Sequence, residues 1–366
     1  MNERRVSCQG IGPSDESEPI LNGQRITTLD DPGLPSEIRA EIARIAASLP
    51  SDTSCVATGS LVEGLGNANS DIDLYVIHHG AASRLGISFG LRGSRYVDCE
   101  HLAQDAVADL ADRVPKLTWR SLEGTRLRDI NRFYRLGIGI PVRLQPSAAS
   151  LLARFDRPAA DAAFAMWARL RGYEHLARAA CLLASGAEAP ADLLLREAAL
   201  WHASRVLAEA GEGYPSLKWA AEKAARRYGR GSAVFGELID GWLRPSGSPA
   251  ERLARQTATG TPPDLVATLD VRSCALAAGV RFVPGERGGH LVRGTRSVAR
   301  CRGLVAAVCG QLADGLSWHE ATDRVAAGLS VAPPLVRVAA WGHLAGLRDA
   351  GFVRVLQTET AGRHAG

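Results

Sequence analysis

The stretch GSLVEGLGNANSDIDLYVI, from Gly59 to Ile77, limits what this chain can fold into more than any other segment. It opens on Gly-Ser, runs through a Gly- and Asn-rich passage, and enters an alternating apolar segment that carries Asp71 and Asp73 one residue apart. In a β-strand, residues i and i+2 project to one side. Asp71 and Asp73 therefore share a face, while Ile72 and Leu74 can pack on the other. Two carboxylates this close repel, and one takes up a proton unless a cation lies between them. A divalent metal resolves the conflict, because Mg²⁺ accepts one or two protein carboxylates and completes its shell with water and phosphate oxygens. A carboxylate pair at a strand end can serve two such ions roughly 3.5–4 Å apart, the arrangement used for in-line displacement at phosphorus. Gly59 has no Cβ, so backbone there can approach a phosphate closely. The neighbouring N–H groups and the Ser60 hydroxyl can donate to a triphosphate, and VEGLGNAN can fold back so that Gly-Ser and the aspartates meet.

The surrounding pattern begins as α/β. Residues 35 to 50 space their apolar side chains as a helix, with Ser36 as its expected N-cap and Pro50 beyond its end. SCVATGS is a short β-branched run entering the glycine turn, and DIDLYVIHH and SRYVDCEHL (94 to 102) alternate as strands. The second of these carries Asp98 and Glu100 on one face, roughly 7 Å apart at β rise. From about 104 to 240 the pattern turns helical and rich in Ala and Leu, and Pro215 opens a helix that carries Lys218 in its first turn. Residues 243–264 are loaded with Pro, Gly, Ser and Thr and read as a linker. The remainder reads as a hairpin, GVRFVPGERGGHLVRG, then three helices and a terminal strand FVRVL, the pattern of a winged helix.

Gly59-Ser60, ten residues, then Asp71-Ile72-Asp73-Leu74 resembles the signature of the DNA polymerase β-like nucleotidyltransferase superfamily, which includes small-molecule and antibiotic nucleotidyltransferases. The resemblance is specific over about 50 to 102 and looser to 240. It implies a third carboxylate on a neighbouring strand; Asp98 is favoured, with Glu100 the alternative. It also implies two Mg²⁺ ions held by Asp71, Asp73 and Asp98, with Gly59 and Ser60 on the triphosphate of an NTP, most simply ATP. A helix-borne lysine reaches the phosphates in such proteins, and that role falls on Lys218. The expected architecture is an α/β nucleotidyltransferase core, a mixed sheet with helices, over 26–115. A disordered lead-in over 1–25 precedes it; a helical domain (116–242), the linker and a C-terminal winged-helix domain (265–366) follow. The tail is similar to the peptide-recognition winged helices of natural-product enzymes, in which a leader peptide adds as a strand to the wing.

Composition narrows the alternatives. At 366 residues two or three domains are expected, and 46% apolar with 22% charged residues suits a soluble globular protein. No apolar run approaches a membrane span, and the N-terminus has no apolar block of a signal peptide. Seven scattered cysteines without a Cys-x-x-Cys pair fit reduced thiols in the cytoplasm. Net charge of +4, and seven arginines against four acidic residues over 296–357, make a thin footprint for DNA. His78-His79 reads as a solvated loop, and His319-Glu320 as the start of a helix. The function expected is Mg²⁺-dependent transfer of a nucleoside monophosphate to a small-molecule or peptidyl acceptor in a natural-product pathway, with release of pyrophosphate. The alternatives are an antibiotic-modifying adenylyltransferase and a nucleotide-sensing, DNA-binding regulator.

Overall fold

A computed structural model of the chain describes residues 25–67, 70–79, 86–92, 95–122, 125–244, 246–258, 272–286, 288–295 and 297–356. Apart from Arg25, the lead-in expected over 1–25 lies outside the described residues. The chain divides into two compact units. One comprises Met1–Pro115 with Arg128–Ala160, and the other Lys116–Leu127 with Asp161–Gly366.

The first unit is built on a five-stranded mixed sheet. Its elements are α1 (Ser36–Ser48), β1 (Thr53–Thr58), the short α2 (Gly59–Val62), β2 (Ile72–His78), β3 (Gly86–Arg92), β4 (Arg95–Ala103), α3 (Gln104–Arg113), α4 (Leu127–Ile138) and β5 (Ile140–Arg143). The strand order is β3-β4-β2-β1-β5, with β2 and β4 parallel and every other neighbouring pair antiparallel. Alternation sorts the side chains of β2. Ile72, Leu74 and Val76 join Cys55, Ala57, Val97 and Cys99 in an apolar cluster with Ile38, Ile42 and Ile45 of α1. Asp73 and Tyr75 fall on the other side. The expected cap of α1 is displaced: Pro35 is the N-cap, Ser36 is the first helical residue, and no side chain caps the end. Strands β3 and β5 have no counterpart in the expectation, because β3 leaves Ile87, Phe89 and Leu91 exposed and β5 is only four residues long.

One charged group lies in the interior of this unit. Glu63, directly after α2, is fully buried; its Oε1 accepts from Arg25 Nε at 2.9 Å and Arg157 Nη2 at 3.4 Å. The Arg157 guanidinium also stacks over Tyr134 at 5.5 Å. A buried carboxylate needs such partners, since desolvation would otherwise expel its charge.

The second unit is dominated by helices: α5 (Arg157–Ala184, whose first turn belongs to the first unit), α6 (Glu188–Glu209), α7 (Ala220–Tyr228) and α8 (Pro249–Ala258). The segment expected to be a linker therefore carries a helix. Its Arg252 is buried and ion-paired with Asp192, and Gln256 Nε2 donates to the Leu195 carbonyl of α6 at 3.0 Å. Beyond it come β6 (Ser273–Leu276) and a three-stranded antiparallel meander of β7 (Val280–Gly285), β8 (Gly288–Arg293) and β9 (Ser297–Cys301). Helices α9 (Gly303–Ala313), α10 (Trp318–Leu329) and α11 (Pro333–His343) follow, and β10 (Val353–Leu356) pairs back with β6. These elements share a core that includes Leu291, Cys309, Trp318, Trp341 and Phe352. Ser317 and Glu320 form a full capping box at the start of α10, the helix-start role expected of Glu320. No single described helix is long and apolar enough to cross a membrane.

Replacing Glu63 with alanine removes the buried anion and leaves two arginines facing one another. We expect a loss of about 3 kcal/mol, the low end for a broken buried pair because Arg25 and Arg157 keep some contact with water. All seven tryptophans lie in the second unit. Urea unfolding followed by far-ultraviolet circular dichroism is therefore the measurement that checks it, and an unchanged midpoint would refute the role given to Glu63.

Candidate active site

Sheet register brings the acids together. Asp73 of β2 is the direct partner of Asp98 in the parallel β2–β4 pairing, and of Thr58 in the antiparallel pairing with β1. The residue after Thr58 is Gly59, so the glycine turn begins beside Asp73. Gly59 has a φ of +88°, and a Cβ built there would stand 1.9 Å from Asp73 Oδ2. Glycine is required twice over at this position, for its left-handed backbone and for the absence of a side chain. The turn then closes on itself: the N–H groups of Leu65 and Gly66 both donate to the Ser60 carbonyl at 2.9 Å. Gly66 is pressed against Leu61, where a Cβ would meet the side chain at 2.5 Å. This is the fold-back expected of VEGLGNAN, with residues 68–69 outside the described set.

Asp71 immediately precedes β2 and is exposed, whereas Asp73, Asp98 and Glu100 are partly buried. Helix α4 crosses this side with Ile130, Phe133 and Tyr134 buried, and it supplies two arginines. Arg135 Nη1 donates to Asp73 Oδ1 at 3.0 Å, and its own carbonyl accepts from Thr58 Oγ1 at 2.8 Å. Arg132 Nε donates to Glu100 Oε1 at 2.9 Å, with its Nη2 on the same oxygen. The two strand acids are thereby distinguished. Glu100 is held in a charge-assisted pair. Asp98 instead has its carboxyl pushed above the usual range, first by burial and then by the charges of Asp73 and Asp71, with Arg135 opposing. Sequence reading missed Arg132 and Arg135. Their spacing of three on a helix is a usable signal, since it places both on one face.

Among the described residues, no three His, Cys, Asp or Glu side chains already converge on one point as a bound metal would require. The donor chemistry nevertheless suits a hard divalent cation. Asp71, Asp73 and Asp98 offer only carboxylate oxygens, and the Asp98 carboxyl is raised by burial first and then by the negative charge of Asp73 and Asp71. Lys218 belongs to the second unit. It is exposed on a 3₁₀ turn, Leu217–Trp219, just before α7, with Nζ 5.1 Å from the Trp219 ring centre. The histidine pair departs from the solvated loop expected. His78 ends β2 and is hydrogen-bonded to His101 at 2.9 Å, and half-buried His79 bonds Ser54 at 2.8 Å.

Two outcomes follow from this geometry. Gly59→Ala forces a methyl group against Asp73 at a backbone angle that alanine resists, and should lower stability by about 1–3 kcal/mol in urea titration; wild-type stability would show that the turn is not as described. Asp98 binds its proton more tightly in the native state than unfolded. It therefore adds stability at low pH, and that contribution is lost as pH rises through its native pKa. Asp71→Asn should move the Asp98 titration down towards the ordinary carboxylate range, read by carbon-detected NMR of the carboxyl group, and an unmoved titration would show that Asp71 does not act on it.

Comparison with known proteins bears on this same segment. No curated protein matches the chain. A crystal structure of a nucleotidyltransferase-like protein from Exiguobacterium sibiricum is similar at 12% identity over 63% of this chain and 78% of that one, with a TM-score of 0.31, too slight a likeness to bear on fold or function. Residues 39–134 match the family model of the nucleotidyltransferase domain, a range that holds the glycine turn, all four acids and Arg132 of α4, and ends one residue before Arg135. That match supports nucleotidyl transfer in general, with a nucleoside triphosphate as substrate, for this part of the molecule.

Proposed function

We propose that the protein transfers a nucleoside monophosphate from an NTP, most simply ATP, to a small-molecule or peptidyl acceptor in a natural-product pathway, in the cytoplasm. The observation that carries this reading is the placing of Asp73 beside Asp98 in register, with the backbone of Gly59 against Asp73. A pure nucleotide sensor has no need of a second strand acid whose carboxyl is raised by burial and by its neighbours' charge.

In this reading Asp71, Asp73 and Asp98 hold divalent metal, Mg²⁺ by donor type. Bound there, Mg²⁺ would offset the charge of the triphosphate and the charge that builds on the α-phosphate. The chain's own groups do the rest. Gly59 N–H and the Ser60 hydroxyl grip the phosphates, and Arg135 holds one Asp73 oxygen through a hydrogen bond. Asp98, with its raised proton affinity, is suited to accept the acceptor's hydroxyl proton as its oxygen attacks the α-phosphorus. The bond from that phosphorus to the bridging oxygen breaks, and pyrophosphate leaves in line. Lys218 enters as a phosphate ligand on the resemblance alone.

The C-terminal elements take the role of a winged helix that docks a peptide. β7 and β9 are the outer strands of the meander, and an extended leader can add to such an edge through main-chain hydrogen bonds. Six free, buried cysteines among the described residues suit a reducing compartment.

Pyrophosphate release measured across the four nucleoside triphosphates with Mg²⁺ tests the proposal. Asp71→Asn, Asp73→Asn and Asp98→Asn should each lower turnover by roughly 10²–10³, the size of effect seen when a transition-state charge contact is removed. Glu100→Gln should do much less, because Glu100 is engaged by Arg132. Near-normal turnover in Asp73→Asn would sink the metal assignment, and a larger loss in Glu100→Gln than in Asp98→Asn would exchange their roles.

A further inference from the structure

We propose that a cavity in the second unit binds an amphiphilic carboxylate, a molecule with an apolar body and one terminal anionic group. The cavity has a volume of about 670 Å³, within the range of roughly 300–1,000 Å³ typical of small-molecule sites. Its walls are apolar: Leu182 from α5, Leu304 and Val305 from α9, and Val325 and Leu329 from α10. Three arginines also line it, Arg178 on α5, Arg302 before α9 and Arg324 on α10, and among the described residues no aspartate or glutamate does.

Arg324 is partly compensated by Glu320 one turn earlier on α10, whose carboxyl lies below its usual range through hydrogen bonds from Ser317 first and the Arg324 charge after them. Arg302 and Arg324 are exposed and form no ion pair among the described residues; Arg324 Nη1 donates only to Gln311 Oε1, at 3.1 Å. Arg178 is the more telling. Its Nε is buried and makes no hydrogen bond among the described residues. The nearest carboxylate along its helix, Glu174 one turn earlier, is bonded to Arg171 at 2.6 Å. Gly342 on α11 leaves room for the Arg178 guanidinium, since a Cβ there would come within 2.8 Å of Nη2. Burial, and after it the same charge, holds the His343 imidazole below its ordinary pKa, so this histidine stays neutral and adds no further positive charge to the cavity.

A buried guanidinium N–H without an acceptor is costly, and a planar carboxylate is the acceptor that matches its fork. The apolar walls favour a hydrocarbon or aromatic body over a heavily hydrated polyanion such as a nucleoside triphosphate. The two requirements together select an amphiphilic carboxylate, and the site is independent of the transfer reaction proposed above.

The test uses the full-length protein and anilinonaphthalene sulfonate as a fluorescent probe, itself an apolar body with one anionic group. We expect saturable fluorescence enhancement, displaced by dodecanoate and not by dodecyltrimethylammonium. Arg178→Gln and Arg302→Gln should each weaken dodecanoate competition by about tenfold. Equal displacement by the cation, or wild-type competition in both variants, overturns the proposal. Should Arg178→Gln fail to fold, Arg302→Gln and Arg324→Gln decide the matter, since both side chains are exposed and their removal leaves the core intact.

Discussion

Electrostatic repulsion between Asp73 and Asp98 is the constraint around which the first unit is arranged. Parallel pairing of β2 with β4 puts the two carboxylates directly beside one another, and Asp71 adds a third charge at the strand entrance. Nothing in the apolar side of the sheet can relieve this. Relief comes from α4, whose Arg135 takes one oxygen of Asp73, and from the glycine turn, which brings backbone rather than another side chain against the second oxygen. Burial first, and then the residual repulsion from Asp73 and Asp71, lifts the Asp98 carboxyl. An apoprotein held in this condition gains from any cation that enters, which is the physical basis for reading the cluster as a site and not as a surface accident.

The arginines of α4 explain how four acids on neighbouring positions divide their roles. Glu100 lies two residues along from Asp98 on the same face, and sequence alone leaves the two interchangeable. Arg132 engages Glu100 with two nitrogens. A carboxylate so engaged has little left to offer a metal, whereas Asp98 has no such arginine hydrogen bond among the described residues, and is raised by burial and its neighbours' charge. Glu63 shows the opposite solution to the same problem. Fully buried, it is ion-paired with arginines from distant parts of the chain, and it serves the fold.

The second unit uses cations in a comparable contrast. Lys223 is fully buried on α7, yet its Nζ donates to the Tyr214 carbonyl at 2.8 Å and lies over Phe164. Arg178 has no equivalent provision for its Nε. A satisfied buried cation reads as structure, and an unsatisfied one lining a cavity reads as half of an interaction.

The sequence by itself determined the strand that carries Asp71 and Asp73, the glycine turn before it and the acidic strand after it, because period-two alternation and glycine are local properties. It also determined the helical character of the middle of the chain and the hairpin and helices of the tail. Asp98 and Glu100 satisfy the same alternation and look alike in the sequence, and their surroundings differ only in the tertiary structure, where α4 places Arg132 on Glu100. The helix Pro249–Ala258 was hidden by flanking Pro, Gly and Ser, and its place depends on burying Arg252 against Asp192 and Gln256 against α6. The cavity beside Arg178 was equally invisible, because its lining comes from residues more than a hundred positions apart. Contacts of that kind arise only when helices pack, and no spacing along the chain encodes them.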